Sequence, residues 1–225
     1  MTISNFKLGI GIPTNFPMVS SEFFDSFITM EKPQFFYLRA TRGNIEGMRN
    51  QLVTEALRSG LSHIIMMDSD QVYDIKTITQ LLSHRLPIVG CLVYRRYPPF
   101  DPLMLKGTIS KYQSILEWEP DSLVEVDATG TGCLLFDMEV FRSMPYPWFR
   151  FRQGPYGSVI GEDFGFCSDL REKGYRIFVD TSIPAGHLTH MVVNEGTWKL
   201  YSRMKEAELK ASVLDSQSKL SEGGQ

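Results

Sequence analysis

The chain has 225 residues and a formal net charge of −3, and 43% of its residues are hydrophobic while 22% are charged. This length fits one substantial domain, or one domain with a small appendage, and it supplies enough apolar side chains for a core without disulfides or structural zinc. A protein that binds mainly nucleic acid would usually be basic, so the acidic balance argues against that class of partner.

The cysteines and the N-terminal residues indicate the compartment. Cys91, Cys133 and Cys167 are odd in number and lie in largely apolar runs, which is typical of reduced core residues. No apolar stretch is long enough to cross a bilayer, and residues 1–5 do not begin a secretory signal. We therefore expect a cytoplasmic protein with no transmembrane segment.

The first half of the chain alternates strand and helix patterns. The predicted elements are a strand at 7–12, a helix from Ser20 or Ser21 to 30, an extended segment at 34–39, a helix at 45–58, a buried strand at 63–67, a helix capped by Asp74 and a strand at 87–93. This order predicts an α/β fold with a mostly parallel sheet and helices on both faces. Ligands bind beyond the carboxyl ends of such strands.

The second half has shorter and less regular patterns. We expect a proline-rich loop at 97–102, short strands within 103–126, an apolar strand at 133–136 followed by a helix, a helix at 162–173, a last strand at 176–179 and a C-terminal helix from Trp198 to about Ser216. The small, polar tail beyond it is predicted to be disordered. No linker interrupts the pattern, so residues 1–190 are interpreted as one domain and residues 191–225 as a helical extension that could also form a homodimer contact.

The most informative motif is Asp68-Ser69-Asp70, directly after the strand at 63–67. Two carboxylates one residue apart point the same way in extended backbone. At a strand end they can share a hard divalent cation, which also takes phosphate oxygens from a substrate. Acidic residues at a strand end also simply begin loops, so the motif is a hypothesis that depends on its context.

The context consists of further motifs in a fixed order. They are Gly9-Ile10-Gly11-Ile12-Pro13-Thr14, Gly47-Met48-Arg49-Asn50-Gln51-Leu52, Gly130-Thr131-Gly132-Cys133-Leu134-Leu135-Phe136, Gly161-Glu162-Asp163-Phe164 and the late His187. Together with the DxD motif, these segments resemble the GT-A glycosyltransferases, particularly the large family that includes inverting synthases. The resemblance covers residues 7–189 and implies a single GT-A, Rossmann-like domain.

The resemblance also implies the ligands of a metal. Asp70 would bind Mn²⁺ or Mg²⁺ directly, Asp68 would contact the metal, directly or through water, or the donor ribose, and His187 would supply a nitrogen ligand. Oxygen and imidazole ligands together favour manganese. The cation would neutralise charge on the diphosphate as the sugar departs. The donor would be a nucleotide-diphosphate sugar, most commonly a UDP-sugar.

Other residues are candidates for holding the donor. Thr14 and Asn15 would contact the base, Arg42 and Arg49 the base or diphosphate, and two glycines would let backbone approach the sugar. Ordinary turns and a solvated helix face explain the same residues without a ligand. The full predicted donor site is Pro13, Thr14, Asn15, Arg42, Arg49, Asp68, Ser69, Gly130 and Gly132.

The acceptor side is predicted around Glu162 and Asp163. An inverting transfer needs a carboxylate that takes the proton of the acceptor hydroxyl, and Asp163 is the candidate base, with Glu162 positioning it. Acidic residues also favour a first helical turn through the helix dipole, and a retaining transfer would need no base there. The arginines of Tyr94-Arg95-Arg96 could lie near phosphate, and Trp148 could stack on the acceptor, although loop packing is commoner for aromatics.

Other functions remain open at the level of the sequence. A nucleotidyltransferase would carry a glycine-rich loop ending in arginine near its N-terminus, which Pro13-Thr14-Asn15-Phe16 does not match. A phosphatase using the DxD motif would need a different context than Gln71-Val72. A sugar-nucleotide-binding module without catalysis is the third alternative. The acceptor of a transferase could be a glycan, a protein, a lipid-linked sugar or a modified nucleobase.

Overall fold

The computed structural model describes residues 6–109 and 111–222. The helices in this part of the chain are α1 (Ser21–Thr29), α2 (Ile45–Arg58), α3 (Thr77–Ser83), α4 (Met138–Ser143), α5 (Glu162–Glu172) and α6 (Glu195–Glu222). The strands are β1 (Leu8–Pro13), β2 (Phe35–Ala40), β3 (His63–Met67), β4 (Gln71–Val72), β5 (Ile88–Val93), β6 (Leu105–Lys106), β7 (Gln113–Ser114), β8 (Leu123–Val126), β9 (Cys133–Asp137), β10 (Arg152–Gln153), β11 (Val159–Ile160) and β12 (Ile177–His187).

The central sheet is mostly parallel, as the sequence predicts. Its order is β2-β1-β3-β9-β5-β12-β4, and β8 also pairs with β12. Strand β1 is parallel to both β2 and β3, and β5 is parallel to β12. Strand β9 is antiparallel to its neighbours β3 and β5. The segment before β9 therefore begins at the same edge where the parallel strands end.

Helices cover both faces of the sheet because buried strand residues alternate between the two faces. Ile64 and Met66 belong to a core that includes residues of α2, α4 and α5. Ile65 and Met67 belong to the opposite core, which includes residues of α1 and α3. All three cysteines are buried and free, as expected.

Local signals explain most helix bounds. Ser20 Oγ accepts a hydrogen bond from Phe23 N at 3.1 Å and caps α1, and Asn44 Oδ1 accepts one from Gly47 N at 3.0 Å and caps α2. Gly60 follows α2 with a φ of +62°, a conformation that glycine adopts without strain.

The predicted cap of α3 is wrong. The helix begins at Thr77, and its N-cap position is Lys76, which makes no side-chain cap bond. Asp74 Oδ1 instead accepts a hydrogen bond from Lys76 N at 2.8 Å. The Asp74 side chain thus closes a local turn before the helix instead of capping the helix itself. Aspartate side chains commonly form such bonds to nearby backbone N–H groups. Ile75 lies in this turn rather than in the helix and is exposed.

The last strand is longer than predicted. Strand β12 continues past the predicted end at 179, through an irregularity between Asp180 and Pro184, and ends at His187. Its end is held by two-residue pairing with β4, where His187 lies opposite Gln71. Because β4 has only two residues, the sequence pattern does not reveal it as a partner strand. The sequence pattern therefore ends β12 too early.

The chain divides into two compact units, one up to Leu188 and one from Thr189. The second unit contains α6, which continues past the predicted end near Ser216 because glutamine, lysine, leucine and glutamate in the added residues keep the helix propensity high. Residues 223–225 of the predicted disordered tail lie outside the described residues. Within residues 6–109 and 111–222, none of the helices combines the length and apolar character needed to span a bilayer.

Candidate active site

Five segments meet at one edge of the sheet. The turn after β1 brings Thr14, the turn after β3 brings Asp68-Ser69-Asp70, and the segment after β5 brings Arg96. Strand β12 ends there at His187 because it is parallel to β5. Gly130 and Gly132 precede the antiparallel β9 and so reach the same edge. This convergence agrees with the rule that ligands bind beyond the carboxyl ends of strands in α/β sheets.

Arg49 is buried between two acidic residues. Its Nη2 lies 3.2 Å from both carboxylate oxygens of Asp68, and its Nη1 forms an ion pair with Glu162. Burial by itself would lower the pKa of Arg49, but the carboxylates of Asp68, Glu162 and Asp163 raise it above its ordinary value. The guanidinium is therefore charged, and its two terminal nitrogens are paired, while its buried Nε has no hydrogen-bond partner among the described residues. Its predicted contact with base or diphosphate stays a prediction.

Asp70 and His187 lie side by side. His187 Nε2 is 3.7 Å from Asp70 Oδ2, and Leu188 N donates a hydrogen bond to Asp70 O at 2.8 Å. His187 Nδ1 lies 2.8 Å from the carbonyl oxygen of Tyr94. A carbonyl only accepts, so Nδ1 carries the proton and Nε2 presents its lone pair to the site. Arg96 forms an ion pair with Asp70 and also approaches His187.

Asp68 has hydrogen-bond partners other than Asp70 and His187. Both of its carboxylate oxygens face Arg49, and its backbone N donates to Gly132 O at 2.8 Å. Among the described residues, no three histidine, cysteine, aspartate or glutamate side chains are grouped closely enough to hold a metal. Of the three predicted ligands, the structure places Asp70 and His187 next to each other, whereas Asp68 pairs with Arg49.

The two glycines leave room that a side chain would fill. A Cβ at Gly132 would overlap the side-chain nitrogen of Gln71 and lie 2.8 Å from Asp68 Oδ2. A Cβ at Gly130 would lie 3.9 Å from Asp163 Oδ2. Gly132 therefore permits the close approach of the β9 start to the DxD turn.

Glu162 and Asp163 open helix α5 and differ in their surroundings. Glu162 is buried and paired with Arg49. Burial and the charge of Glu162 raise the pKa of Asp163 to about 6, while the charge of Arg49 acts in the opposite direction. Asp163 Oδ1 accepts a hydrogen bond from Phe164 N at 2.7 Å. A carboxyl with a pKa near the working pH is suited to exchange protons with a substrate.

The predicted donor residues after β1 fall into two groups. Pro13 and Thr14 are buried, and Thr14 Oγ1 donates a hydrogen bond to Ser69 Oγ at 3.3 Å. Asn15 and Arg42 are exposed. Thr14 also lines a cavity of about 410 Å³, whose wall is largely aromatic and aliphatic and includes Arg39. Thr14 thereby connects this cavity to the DxD turn.

The structure shows contacts of three residues that the sequence either missed or left open. Tyr73 is buried, and its hydroxyl lies 2.8 Å from the carbonyl oxygens of both Asp68 and Gly132, so its single proton can be donated to either of them. Arg96 was expected only as one of several arginines near phosphate. Trp148 is buried in the core, and its Nε1 donates to Phe141 O at 3.0 Å, so its role is packing. The identity of these residues gives no signal of such contacts, which depend on the fold.

The sequence finds no match among protein-family models or curated proteins. The structure matches A197 from STIV over 84% of this chain and 87% of that chain, with a TM-score of 0.56 and 16% identity. It matches GalNAc-T7, solved with UDP, GalNAc and Mn²⁺, over 83% of this chain and 44% of that chain, with a TM-score of 0.53 and 12% identity. It also matches S. aureus TarS 1-349 in complex with UDP-GlcNAc over 84% of this chain and 60% of that chain, with a TM-score of 0.50 and 14% identity.

The chain spans less than two thirds of the length of the GalNAc-T7 and TarS structures. Both are glycosyltransferases of the GT-A type. The mostly parallel sheet, the flanking helices and these matches together define the fold of this chain as GT-A, as the sequence motifs predict.

Proposed function

We propose that this protein is a metal-dependent glycosyltransferase that moves a sugar from a nucleotide-diphosphate donor, a UDP-sugar, to an acceptor hydroxyl. The observation that carries the proposal is the pairing of Asp70 Oδ2 and His187 Nε2, 3.7 Å apart at the carboxyl edge of a GT-A sheet. The fold is shared with proteins whose structures contain UDP with Mn²⁺, or UDP-GlcNAc.

The pair Asp70 and His187 fits a divalent cation. A carboxylate oxygen and an imidazole lone pair 3.7 Å apart can bind one ion from adjacent positions. Phosphate oxygens and water would complete the coordination, as is common for Mg²⁺ and Mn²⁺ at diphosphates. When bound, the cation would neutralise the charge that develops on the diphosphate as the sugar leaves. Because Arg49 engages Asp68, we assign Asp68 a contact through water or with the ribose.

The nucleoside is proposed to lie at the end of β1. Thr14 faces a cavity of about 410 Å³, a size that suits a small ligand. Its hydrogen bond to Ser69 joins that cavity to the DxD turn. The aromatic wall would pack on the base, and the exposed Asn15 and Arg42 could close over it from solvent. The sugar would then lie above Gly130 and Gly132, beside Asp163.

Asp163 is proposed as the base of an inverting transfer. Its carboxylate would take the proton of the acceptor hydroxyl while the oxygen attacks the anomeric carbon and the bond to the diphosphate breaks. A pKa of about 6 leaves the group ionised at neutral pH and still basic. Arg49 holds Glu162 beside it, so Glu162 would orient the acceptor or the base.

Donor binding tests the metal site. We expect Asp70→Ala to reduce the affinity for UDP in the presence of Mn²⁺ by about 100-fold or more, because it removes a direct ligand. Isothermal titration of UDP with and without Mn²⁺ measures the effect, and a screen of nucleotide sugars for metal-dependent hydrolysis identifies the donor. Asp25→Ala, on the exposed face of α1, is the matched control. Equal Mn²⁺-dependent binding by Asp70→Ala would contradict the proposal.

Transfer tests the base. Asp163→Ala should keep donor binding and lose transfer. In the parent, transfer should rise with pH through about 6 and then level off, because only the deprotonated carboxylate accepts the proton. Unchanged transfer by Asp163→Ala would remove Asp163 as the base. Donor binding without hydrolysis or transfer in any screen would favour the binding module instead.

A further inference from the structure

Arg96 occupies the position between the two proposed metal ligands. Its Nη2 forms an ion pair with Asp70 Oδ2. Its Nε and Nη2 lie 3.4 Å and 3.3 Å from His187 Nε2. These are the same two atoms, Asp70 Oδ2 and His187 Nε2, that would bind a cation. The guanidinium therefore supplies a positive charge where a metal would supply one.

The tautomer of His187 places Arg96 and a cation in competition for one atom, Nε2. Its Nδ1 proton points to the Tyr94 carbonyl, at a distance of 2.8 Å, so the Nε2 lone pair is available. In this structure the lone pair accepts a hydrogen bond from Arg96 Nε. One lone pair cannot serve an N–H donor and a metal at once. A bound cation therefore requires that Arg96 move away.

Arg96 has the freedom to move. Its side chain is 41% exposed, in contrast to the 5% of Arg49, which is enclosed by its partners. It lies just after β5, at the start of the segment that leads to the exposed Tyr97. An arginine stays charged at any working pH and binds phosphate oxygens through its planar fork. The diphosphate of a donor would offer it a second anionic partner.

We propose that Arg96 is an internal counter-ion that keeps the metal site closed to free cation and opens it when a nucleoside diphosphate binds. The proposal rests on the proposed function, because it assumes that Asp70 and His187 bind the metal. It makes Arg96 a positioning residue with two alternative partners, the carboxylate of Asp70 and the diphosphate. Cation and nucleotide should then bind with positive coupling, each raising the affinity for the other.

The test measures Mn²⁺ affinity without turnover. Free Mn²⁺ is followed by electron paramagnetic resonance during titration of the full chain, with and without UDP. In the absence of UDP, Arg96→Gln should bind Mn²⁺ roughly tenfold more tightly than the parent, the factor expected if the open arrangement is populated about one-tenth of the time. The gain in affinity on adding UDP should shrink by the same factor.

Three further variants make the outcome specific. Arg95→Gln removes the same charge from the neighbouring residue and should leave Mn²⁺ affinity near that of the parent. Arg96→Lys keeps the charge without the planar fork and should give an intermediate affinity. Asp70→Asn, added to Arg96→Gln, should abolish the gain, which places the ion at Asp70. Thermal unfolding of each variant checks that it is folded.

Two results would overturn the inference, and they differ in what else they overturn. If Arg96→Gln binds Mn²⁺ no more tightly than the parent or Arg95→Gln, while UDP still promotes Mn²⁺ binding that depends on Asp70, the counter-ion role is wrong and the metal site stands. If no folded variant binds Mn²⁺ with or without UDP, the metal-dependent function fails together with the inference.

Discussion

Arg49 is the residue that links the two sides of the candidate site. It comes from α2, yet it bonds Asp68 after β3 and Glu162 at the start of α5. A buried charge is tolerated when it is paired and hydrogen-bonded, and removing one partner exposes the others to an environment that disfavours charge. Asp68 and Glu162 therefore depend on Arg49 for a compensating charge and for their position.

At this scale we predict that Arg49→Met destabilises the fold. The substitution keeps most of the side-chain volume but leaves two carboxylates without their cation, and we expect a loss of about 3–5 kcal/mol in the free energy of unfolding. Chemical denaturation followed by circular dichroism measures it. Arg58→Met, at an exposed position of the same helix, is the control and should cost less than about 1 kcal/mol. Equal losses for the two variants would contradict a specific role of Arg49.

At the scale of elements, the start of β9 shapes the DxD turn. Strand β9 runs against β3, so its first residues lie beside the residues that follow β3. Asp68 N donates to Gly132 O, and the Tyr73 hydroxyl lies 2.8 Å from the carbonyl oxygens of both residues. The start of β9 thus contacts the backbone of the DxD turn on one side, and the pairing of β4 with β12 lies on the other side.

We predict that Gly132→Ala weakens donor binding by about tenfold and destabilises the fold by about 1–3 kcal/mol, since the added methyl group overlaps Gln71 and crowds Asp68. Titration with UDP and Mn²⁺, together with thermal unfolding, measures both effects. Gly186→Ala is the matched control in β12, where the nearest atom to an added Cβ is 3.7 Å away. Unchanged binding and stability in Gly132→Ala would show that the turn has room to adjust.

At the scale of the whole molecule, the two hydrophobic cores belong to the first unit. The buried residues of both clusters lie between Leu8 and Ala185. Helix α6, in the second unit, exposes apolar residues on its surface, namely Trp198, Leu200, Tyr201 and Met204. A homodimer through this helix stays a prediction, because exposed apolar residues alone do not identify what covers them.

We predict that a chain ending at Leu188 remains folded. Since the cores are retained, its unfolding midpoint should fall within a few degrees of that of the full chain, and UDP binding with Mn²⁺ should persist. Differential scanning calorimetry and titration measure these properties, and light scattering compares the masses in solution. A dimeric full chain and a monomeric short chain would support the dimer contact. Failure of the short chain to fold would show that α6 contributes to the stability of the first unit.

The sequence alone predicts the order of strands and helices along the chain, most helix ends and the position of the DxD motif at a strand end. These features depend on local periodicity, capping residues and glycines, which a linear pattern contains. It also predicted that His187 would approach Asp70, although only through the resemblance to GT-A enzymes. The roles of the remaining candidate site residues stay predictions.

Which charged groups pair with each other depends on how the whole chain folds. The pairing of Arg49 with Asp68, the position of Arg96 between Asp70 and His187, and the extension of β12 all join segments that are distant in the chain. Such contacts depend on strand order and register, and their energies depend on burial, which the residue types do not specify. The sequence therefore named most residues of the candidate site, and the fold determined which of them lie together and which are paired with an opposite charge.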